Sequence, residues 1–248
     1  MNTDTLDKMR RMRFWGMHRA FRTSLEQPEQ TYTADEMVAL LIDSEWDDRH
    51  NRAIERSMHN ARFRYKATIE QLDYSIDRGI DKNLVHRLAD CEFIGRKENI
   101  LITGSTGTGK SFLASAIGHQ ACQLGYKVLY ANATRLFAQL KMAKADGSSI
   151  KELMKIEKQD LLILDDFGIQ PLDQQARSSL LDIIEDRHGK RSSIITAQLP
   201  IKQWYDVIGE KTVADAILDR LVHNAQRIEL IGESLRRKWG KKQADNNN

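Results

Sequence analysis

Cysteine is nearly absent from this 248-residue chain. Cys91 and Cys122 are the only two, and they lack metal-ligand spacing. Neither a disulfide framework nor a cysteine-rich metal site can therefore organise the fold, and a reduced, cytoplasmic chain is the expectation. No apolar run approaches the ~20 residues that cross a bilayer. The basic N-terminus "MNTDTLDKMRRMRFWGMHRA" has no apolar stretch of the kind a secretory signal carries. Proline is scarce, with three in the chain and only Pro28 within the first 90 residues. Internal repeats are missing, and the one low-complexity tract is the "ADNNN" end, expected to be disordered over 241–248. What remains is 41% hydrophobic and 29% charged. That composition suits a soluble globular protein with one sizeable core and a smaller appended element.

The net charge of +3 is too small to argue from, but it hides clusters. Lys8 to Arg22 holds six Lys/Arg and no acid, and Arg49 to Lys66 holds six more against Glu55 alone. The tail "RRKWGKK" (236–242) adds five. Any one cluster is explained by a solvated helix face; three together point to nucleic-acid backbone. The candidate DNA contacts are Arg10, Arg11, Arg13, Arg49, Arg52, Arg56, Arg62, Arg64, Lys66, Arg236 and Arg237. No spacing among them specifies a groove-reading helix, so contact with phosphates and weak sequence preference are expected.

Residues 1 to about 90 read as helix almost throughout. "TADE" (33–36) is a capping box with Thr33 as N-cap and Glu36 at N3. It opens an apolar series, Met37, Leu40, Leu41, Trp46, Ile54, Met58 and Ala61, at helical spacing. Arg49, Arg52, Arg56 and Arg62 fall largely off that stripe. From about residue 98 short apolar runs alternate with amphipathic stretches: "NILIT", "SFLASAIGHQACQLG", "KVLYAN", "TRLFAQLKMAKA", "DLLILDD", "QQARSSLLDIIEDRHGK", "SSIITA" and "QRIELIG". This alternation predicts an α/β fold, a parallel sheet with helices on both faces. The expected boundaries are a helical domain over 1–75, a linker over 76–97 and the core over 98–240.

"GSTGTGKS" (104–111) fits G-x-x-x-x-G-K-[ST] at every fixed position, with a strand before it and a helix after it. Gly104, Gly107 and Gly109 let backbone N–H groups approach phosphate oxygens. The helix that starts near Lys110 aims its positive end at the same anion. Lys110 supplies charge to the β- and γ-phosphates, and Ser111 a hydroxyl ligand for Mg²⁺. The nucleotide-binding set is Gly104, Ser105, Thr106, Gly107, Thr108, Gly109, Lys110, Ser111 and Phe112.

"LLILDD" (161–166) is expected on a neighbouring strand, with Asp165 at its tip, near Ser111, holding Mg²⁺ through water. Asp166 either orients the attacking water or is a simple strand-exit acid. It reaches one methylene less far than Glu, so slow hydrolysis is expected. "SSIITAQL" (192–199) is expected between the loop strand and the acidic strand. There Thr196 and Gln198 face the γ-phosphate or the water, although Thr196 also suits a strand by propensity alone. Arg220, in "AILDRLVHNA", either pairs locally with Asp215 or Asp219 or serves as an arginine finger toward a neighbouring subunit. Arg236 and Arg237 face phosphate or DNA.

"NILITGSTGTGKSFLASAIGHQACQLGYKVLY", "QDLLILDDFGIQPLD", "IIEDRHGKRSSIITAQLP" and "ADAILDRLVHNAQRIELIGESLR" resemble the IstB transposition-helper ATPases of insertion sequences. These are AAA+ relatives of the DnaC and DnaI helicase loaders. The likeness extends to "MRFWGMHRAF" and "EWDDRHNRAIERSMHNARFRYKATIEQLDY", so it runs from about residue 8 to 238. It implies an AAA+ P-loop core with a small all-helical N-terminal domain. It also implies an ATP- and Mg²⁺-dependent protein that self-assembles on duplex DNA and assists a transposase in choosing a target site. Arg220 takes the finger's place and the Thr196/Gln198 strand end that of the first sensor. Asp166 departs from the usual AAA+ Glu. Some 18 residues after the last strand are too few for a full helical lid.

Two other readings carry less. A helicase loader shares fold and chemistry and differs in partner. A small-molecule phosphotransferase needs an acceptor pocket and an arginine-bearing cover, and no insertion between the core elements supplies them. A DNA binder with a vestigial nucleotide site is at odds with the intact Lys110, Ser111 and Asp165.

Overall fold

A computed structural model describes residues 2–27, 31–74 and 78–235. Two compact units divide the chain, 1–56 and 57–248. Among the described residues no helix is long and apolar enough to cross a membrane.

The first unit consists of α1 (Asn2–Arg11), α2 (Trp15–Glu26) and most of α3 (Ala34–Ala61). The Thr33 capping box forms as the sequence predicts. Thr33 Oγ1 accepts from the Glu36 N–H at 3.3 Å, and Glu36 Oε2 accepts from the Thr33 N–H at 2.8 Å. Midway along α3 the inward positions are polar. Buried Glu45 accepts from the N–H groups of Gly16 (2.8 Å) and Met17 (3.3 Å), two donors that the start of α2 leaves without helical partners. The helices approach closely here, because a Cβ on Gly16 would lie 2.1 Å from the Ser44 carbonyl oxygen. Buried Asp48 accepts from Arg19 and pairs with Arg52. Trp46, read from the sequence as part of the inward stripe, is instead 72% exposed. The polar seam at Glu45 and Asp48 takes the inward face at that level.

The second unit begins within α3 and earlier than the boundary at 75 expected from the sequence. Residues 57–74, expected in the helical domain, and 78–97, expected as linker, both pack into this unit. They contain a 3₁₀ turn (Ile69–Gln71), α4 (Lys82–Ala89) and α5 (Glu92–Gly95). Ala61, Ala67, Ile69, Leu72, Val85, Leu88, Phe93 and Ile94 are all buried, and burying them removes apolar surface from water that a free linker would expose. Helical texture alone could not distinguish these segments from the separate helices before them.

The remaining elements follow the predicted alternation. They are β1 (Asn99–Gly104), α6 (Lys110–Gln123), β2 (Val128–Asn132), α7 (Ala133–Ala145) and α8 (Ser149–Glu157). Then come β3 (Leu161–Phe167), α9 (Gln174–Arg187), β4 (Ser192–Ala197), α10 (Trp204–Ile208), α11 (Lys211–Val222) and β5 (Ala225–Leu230). All five strands are parallel, in the order β2-β3-β4-β1-β5. Alternate side chains feed opposite cores, as a strand's two-residue period requires. Ile100, Ile102, Ile163 and Ile194 pack with Leu113 and Ile117 of α6. Leu101, Leu162, Leu164 and Ile195 pack with Leu136 and Phe137 of α7, Leu180 and Ile183 of α9, and Ile217 of α11. Among the described residues no helical subdomain follows β5.

One buried cation ties these layers together. Arg187, at the end of α9, is 2% exposed, and among the described residues no carboxylate pairs with it. Its guanidinium donates to the carbonyls of Ile156 (3.1 Å), Gln159 (3.0 Å) and Ser192 (2.5 Å) and to Ser193 Oγ (3.1 Å). Burial pushes its pKa down to about 10. Arg187→Ala would orphan those acceptors and should lower the urea-unfolding free energy by about 3 kcal/mol. A loss under about 0.5 kcal/mol would show that water replaces the guanidinium without cost.

Candidate functional site

At the C-terminal end of β1 the chain turns through 105–109 and enters α6. Gly104, Gly107 and Gly109 hold φ values of +143°, +86° and +101°, a region open to glycine and costly to other residues. The turn is closed on itself. Lys110 Nζ donates to the carbonyls of Gly104 (2.8 Å) and Ser105 (2.9 Å), and Thr108 Oγ1 also donates to Ser105 (2.9 Å). The segment after β5 shoulders the loop, with the Leu235 N–H donating to the Gly107 carbonyl at 3.0 Å. Beneath the loop lies Arg78, 4% exposed, whose Nη1 donates to the Thr108 carbonyl at 3.3 Å. Burial draws its pKa below the usual arginine range.

Two strands away, the β3–β4 pairing slips between Leu164 and Phe167, and Asp166 takes φ +58°. Such a bulge re-aims side chains at a strand end. Here two consecutive carboxylates are brought to the same end of the sheet as the loop. Asp165 has no exposed surface. Its Oδ1 accepts from Thr196 Oγ1 at 2.5 Å, and its Oδ2 accepts from the Tyr130 hydroxyl. Thr196 Oγ1 in turn accepts from the Asp166 N–H at 3.0 Å, so one β4 hydroxyl serves both acids. Asp166 Oδ2 accepts from Arg64 Nη1 at 2.9 Å and from Asn132 Nδ2 at 3.4 Å. Arg64 Nη1 also lies 3.4 Å from Asp165 Oδ2. Burial, then the bond to Asp165, holds the Tyr130 hydroxyl far above its ordinary pKa, so it remains a proton donor. Burial works against the Arg64 charge, but Tyr65 and Asp166 outweigh it and hold its pKa above the ordinary value.

Gln198, just beyond β4, accepts from Thr106 Oγ1 at 2.7 Å, which ties the loop tip to that strand. Between loop and acids lies a cavity of about 260 Å³, lined by the polar Lys110, Ser111, Arg64 and Asp166 and by Tyr65, Leu72, Phe112 and Ile169. A cradle of N–H groups, a lysine and an apolar recess suit a phosphorylated ligand with a planar base. Asp165 and Ser111 offer the hard oxygen donors that Mg²⁺ takes.

Other sequence-predicted residues lie elsewhere. Arg220 stands near the C-terminal end of α11, where its Nη2 meets Glu185 Oε1 at 3.1 Å and its Nη1 donates to the Ala216 carbonyl at 2.8 Å. Neither Asp215 nor Asp219 is its partner. It borders a hollow with Lys97, Asn99 and Arg191, where the strands begin. β1 is six residues long, so that end lies roughly 20 Å from the phosphate loop. In the first unit Arg10 Nε donates to His18 Nε2 (3.1 Å), Arg49 pairs with Glu45 (2.7 Å) and Arg56 Nε donates to the Arg52 carbonyl (3.2 Å). Arg11, Arg13, Arg62 and Lys66 are exposed, and Arg236 and Arg237 lie outside the described residues. Arg64, grouped with the DNA contacts from the sequence, sits on the acid pair. Tyr130, Asn132 and Arg78 were not singled out. A lone hydroxyl in "KVLYAN" and a polar strand end were the only local signals, and nothing local marks Arg64 or Arg78.

A Cβ on Gly107 would meet Ser234 Oγ at 2.2 Å. Gly107→Ala should therefore weaken binding of a fluorescent adenine nucleotide at least tenfold, roughly the cost of a strained loop residue. Near-native affinity in that titration would show that the loop is not the binding element.

The family described as IstB-like ATP binding protein matches residues 7–244. An insertion-sequence ATP-binding protein of Sinorhizobium fredii is 45% identical over 239 residues, which is 96% of this chain and 98% of the relative. The insertion sequence IS21 ATP-binding protein of Pseudomonas aeruginosa is 34% identical over 207 residues, 84% of this chain and 78% of that one. Among solved structures, DnaI aligns with a TM-score of 0.56 at 22% identity, over 71% of this chain and 94% of its own. AMPPCP-bound DnaA from Aquifex aeolicus aligns with a TM-score of 0.55 at 23% identity, over 75% and 56%. At such identities the likeness is one of fold, the AAA+ arrangement of a parallel sheet between helices. The sequence likeness is of another order, running through both units and nearly end to end, and on it this chain belongs to the IstB-like family of insertion-sequence ATP-binding proteins.

Proposed function

We propose that this protein is an ATP-dependent DNA-binding factor that self-assembles on duplex DNA and assists a cognate transposase in target-site selection. The observation that carries this reading is the split of the nucleotide machinery. The phosphate loop and both acids share one end of the sheet, whereas Arg220 borders the hollow at the other end. An arginine there cannot serve its own chain's nucleotide. It can serve a neighbour's in a head-to-tail assembly, which makes ATP part of the contact between subunits.

Within one site each residue has a distinct task. Lys110, now engaged with two loop carbonyls, is the mobile charge for the β- and γ-phosphates. Ser111 and Asp165 would hold Mg²⁺, which when bound with ATP supplies charge neutralisation for phosphoryl transfer. Thr196 keeps Asp165 oriented and Asp166 placed, and Gln198 holds the loop tip. Asp166 orients the attacking water. Its short reach, and its present bonds to Arg64 and Asn132, fit slow hydrolysis that ends or resets the assembled state.

The basic set of the first unit, with Arg62, Lys66, Arg236 and Arg237, makes the backbone contacts. Glu45 and Asp48 hold Arg49 and Arg52 in fixed positions, and both arginine heads remain partly exposed. Transposition is favoured over helicase loading by the whole-length likeness to insertion-sequence proteins, because the loaders share only the fold.

Particle size tests the reading, measured by light scattering with duplex DNA and ATP, ADP or no nucleotide. Large discrete particles should form with ATP and DNA together, and Lys110→Ala and Arg220→Ala should each abolish them. A wild-type protein that stays monomeric in every condition would remove the shared site. In parallel, duplex affinity should fall at least tenfold between 50 and 200 mM salt, with similar values for unrelated sequences, as expected when about six or more phosphates are contacted. A salt-insensitive affinity would rule out backbone-dominated binding.

A further inference from the structure

Arg64 has a partner set out of keeping with a surface cation. Its guanidinium touches both acids at the end of β3, through one nitrogen, at the carboxylate assigned to Mg²⁺. Asp165 is fully buried and Asp166 largely so, while the Arg64 side chain is 41% exposed. A buried carboxylate pair carries a penalty unless positive charge accompanies it. Among the described residues Arg64 is the only cation paired with either acid. A divalent ion held by Asp165 would bring a second positive charge to the same acid pair, in competition with the guanidinium.

The surroundings give the guanidinium somewhere to go. Arg64 and Asp166 form the wall between the nucleotide cavity and a second, larger groove. That groove is also lined by Arg62, Asn132, Arg135 and Glu152. The backbone beside it is a sharp turn, with Arg62 at φ +59° directly after the last residue of α3. We propose that Arg64 is a tethered stand-in for the divalent cation: it neutralises the acid pair while the metal is absent and is expelled into the second groove when the metal arrives with nucleotide. This rests on the ATP and Mg²⁺ reading of the loop and acids. Its consequence is that metal arrival pulls on the chain three residues beyond α3, the helix that carries Arg49, Arg52 and Arg56.

The test compares wild type, Arg64→Gln and Arg64→Lys, with fluorescent ADP titrated at fixed Mg²⁺ levels and thermal melting with ADP in EDTA or Mg²⁺. Arg64→Gln should melt lower than wild type in EDTA and recover in Mg²⁺. Its Mg²⁺ midpoint for nucleotide binding should fall about tenfold, the low end of what one adjacent charge does to a carboxylate site. Arg64→Lys, which keeps a cation, should stay near wild type on both measures. An unchanged Mg²⁺ midpoint in Arg64→Gln overturns the proposal. So does weaker nucleotide binding at saturating Mg²⁺, which would make Arg64 a nucleotide ligand. If Arg64→Gln does not fold, trypsin cleavage of wild type decides. Cleavage after Arg64 should quicken with Mg²⁺ and ADP over ADP in EDTA, and an equal rate overturns the idea. A wild-type protein that binds no nucleotide at any Mg²⁺ level refutes the underlying site reading instead.

Discussion

A carboxylate with no exposed surface governs one end of this molecule. Asp165 is tolerated inside the protein because Thr196, Tyr130 and Arg64 reach it from β4, β2 and the turn after α3. Those contacts do more than satisfy a charge. They lock three elements of the sheet's C-terminal edge into one arrangement, and Thr196 passes the constraint on to Asp166 through its backbone N–H. Because β4 lies between β1 and β3, the strand that orients the acids is also the strand whose Gln198 grips the phosphate loop. The loop and the acids are thus positioned by a common neighbour rather than by each other.

How much of this could be read from the sequence depended on the range of the interactions. The phosphate loop is local: glycines, lysine and serine at set spacing between an apolar run and an amphipathic helix leave few other conformations. The parallel core was legible for a similar reason, since "DLLILDD" and "SSIITA" have the unbroken apolar character of strands covered on both faces. The Thr33 box is likewise a four-residue event. In contrast, the bulge at Asp166 depends on how β4 pairs with β3, and no residue in "LDDFG" announces a positive φ at an aspartate. Arg64 is 101 residues from Asp165 in sequence, and a basic cluster looks the same whether its members face DNA or a buried acid. The division between the two units at 56/57 falls inside α3, so no break in the helical pattern marks it. Residues 57–74 and 78–97 carry a helical pattern like the preceding segment, yet Ala61, Ala67, Ile69, Leu72, Val85, Leu88, Phe93 and Ile94 join the core that the sheet covers.

The first unit shows a similar economy. Its inward face is not an extended apolar stripe but a seam in which Glu45 and Asp48 take up the free N–H groups of α2 and the charges of Arg19, Arg49 and Arg52. A buried acid beneath an arginine fixes where the guanidinium points and removes part of the entropy that a phosphate contact would otherwise cost. On the proposed function, these helices present charge in set positions while still leaving base identity unread.

In the proposed assembly a loop and acid pair on one copy meet an arginine on the next. Neither is then sufficient alone, and a mixing experiment tests this most directly. Lys110→Ala lacks the phosphate lysine but keeps Arg220, and Arg220→Ala has the reverse defect. With duplex DNA and ATP, each variant alone should release almost no phosphate, and an equimolar mixture should regain hydrolysis at sites that combine an intact loop with an intact arginine. A mixture as inactive as its components, or Arg220→Ala hydrolysing at the wild-type rate, would contradict a site shared between subunits.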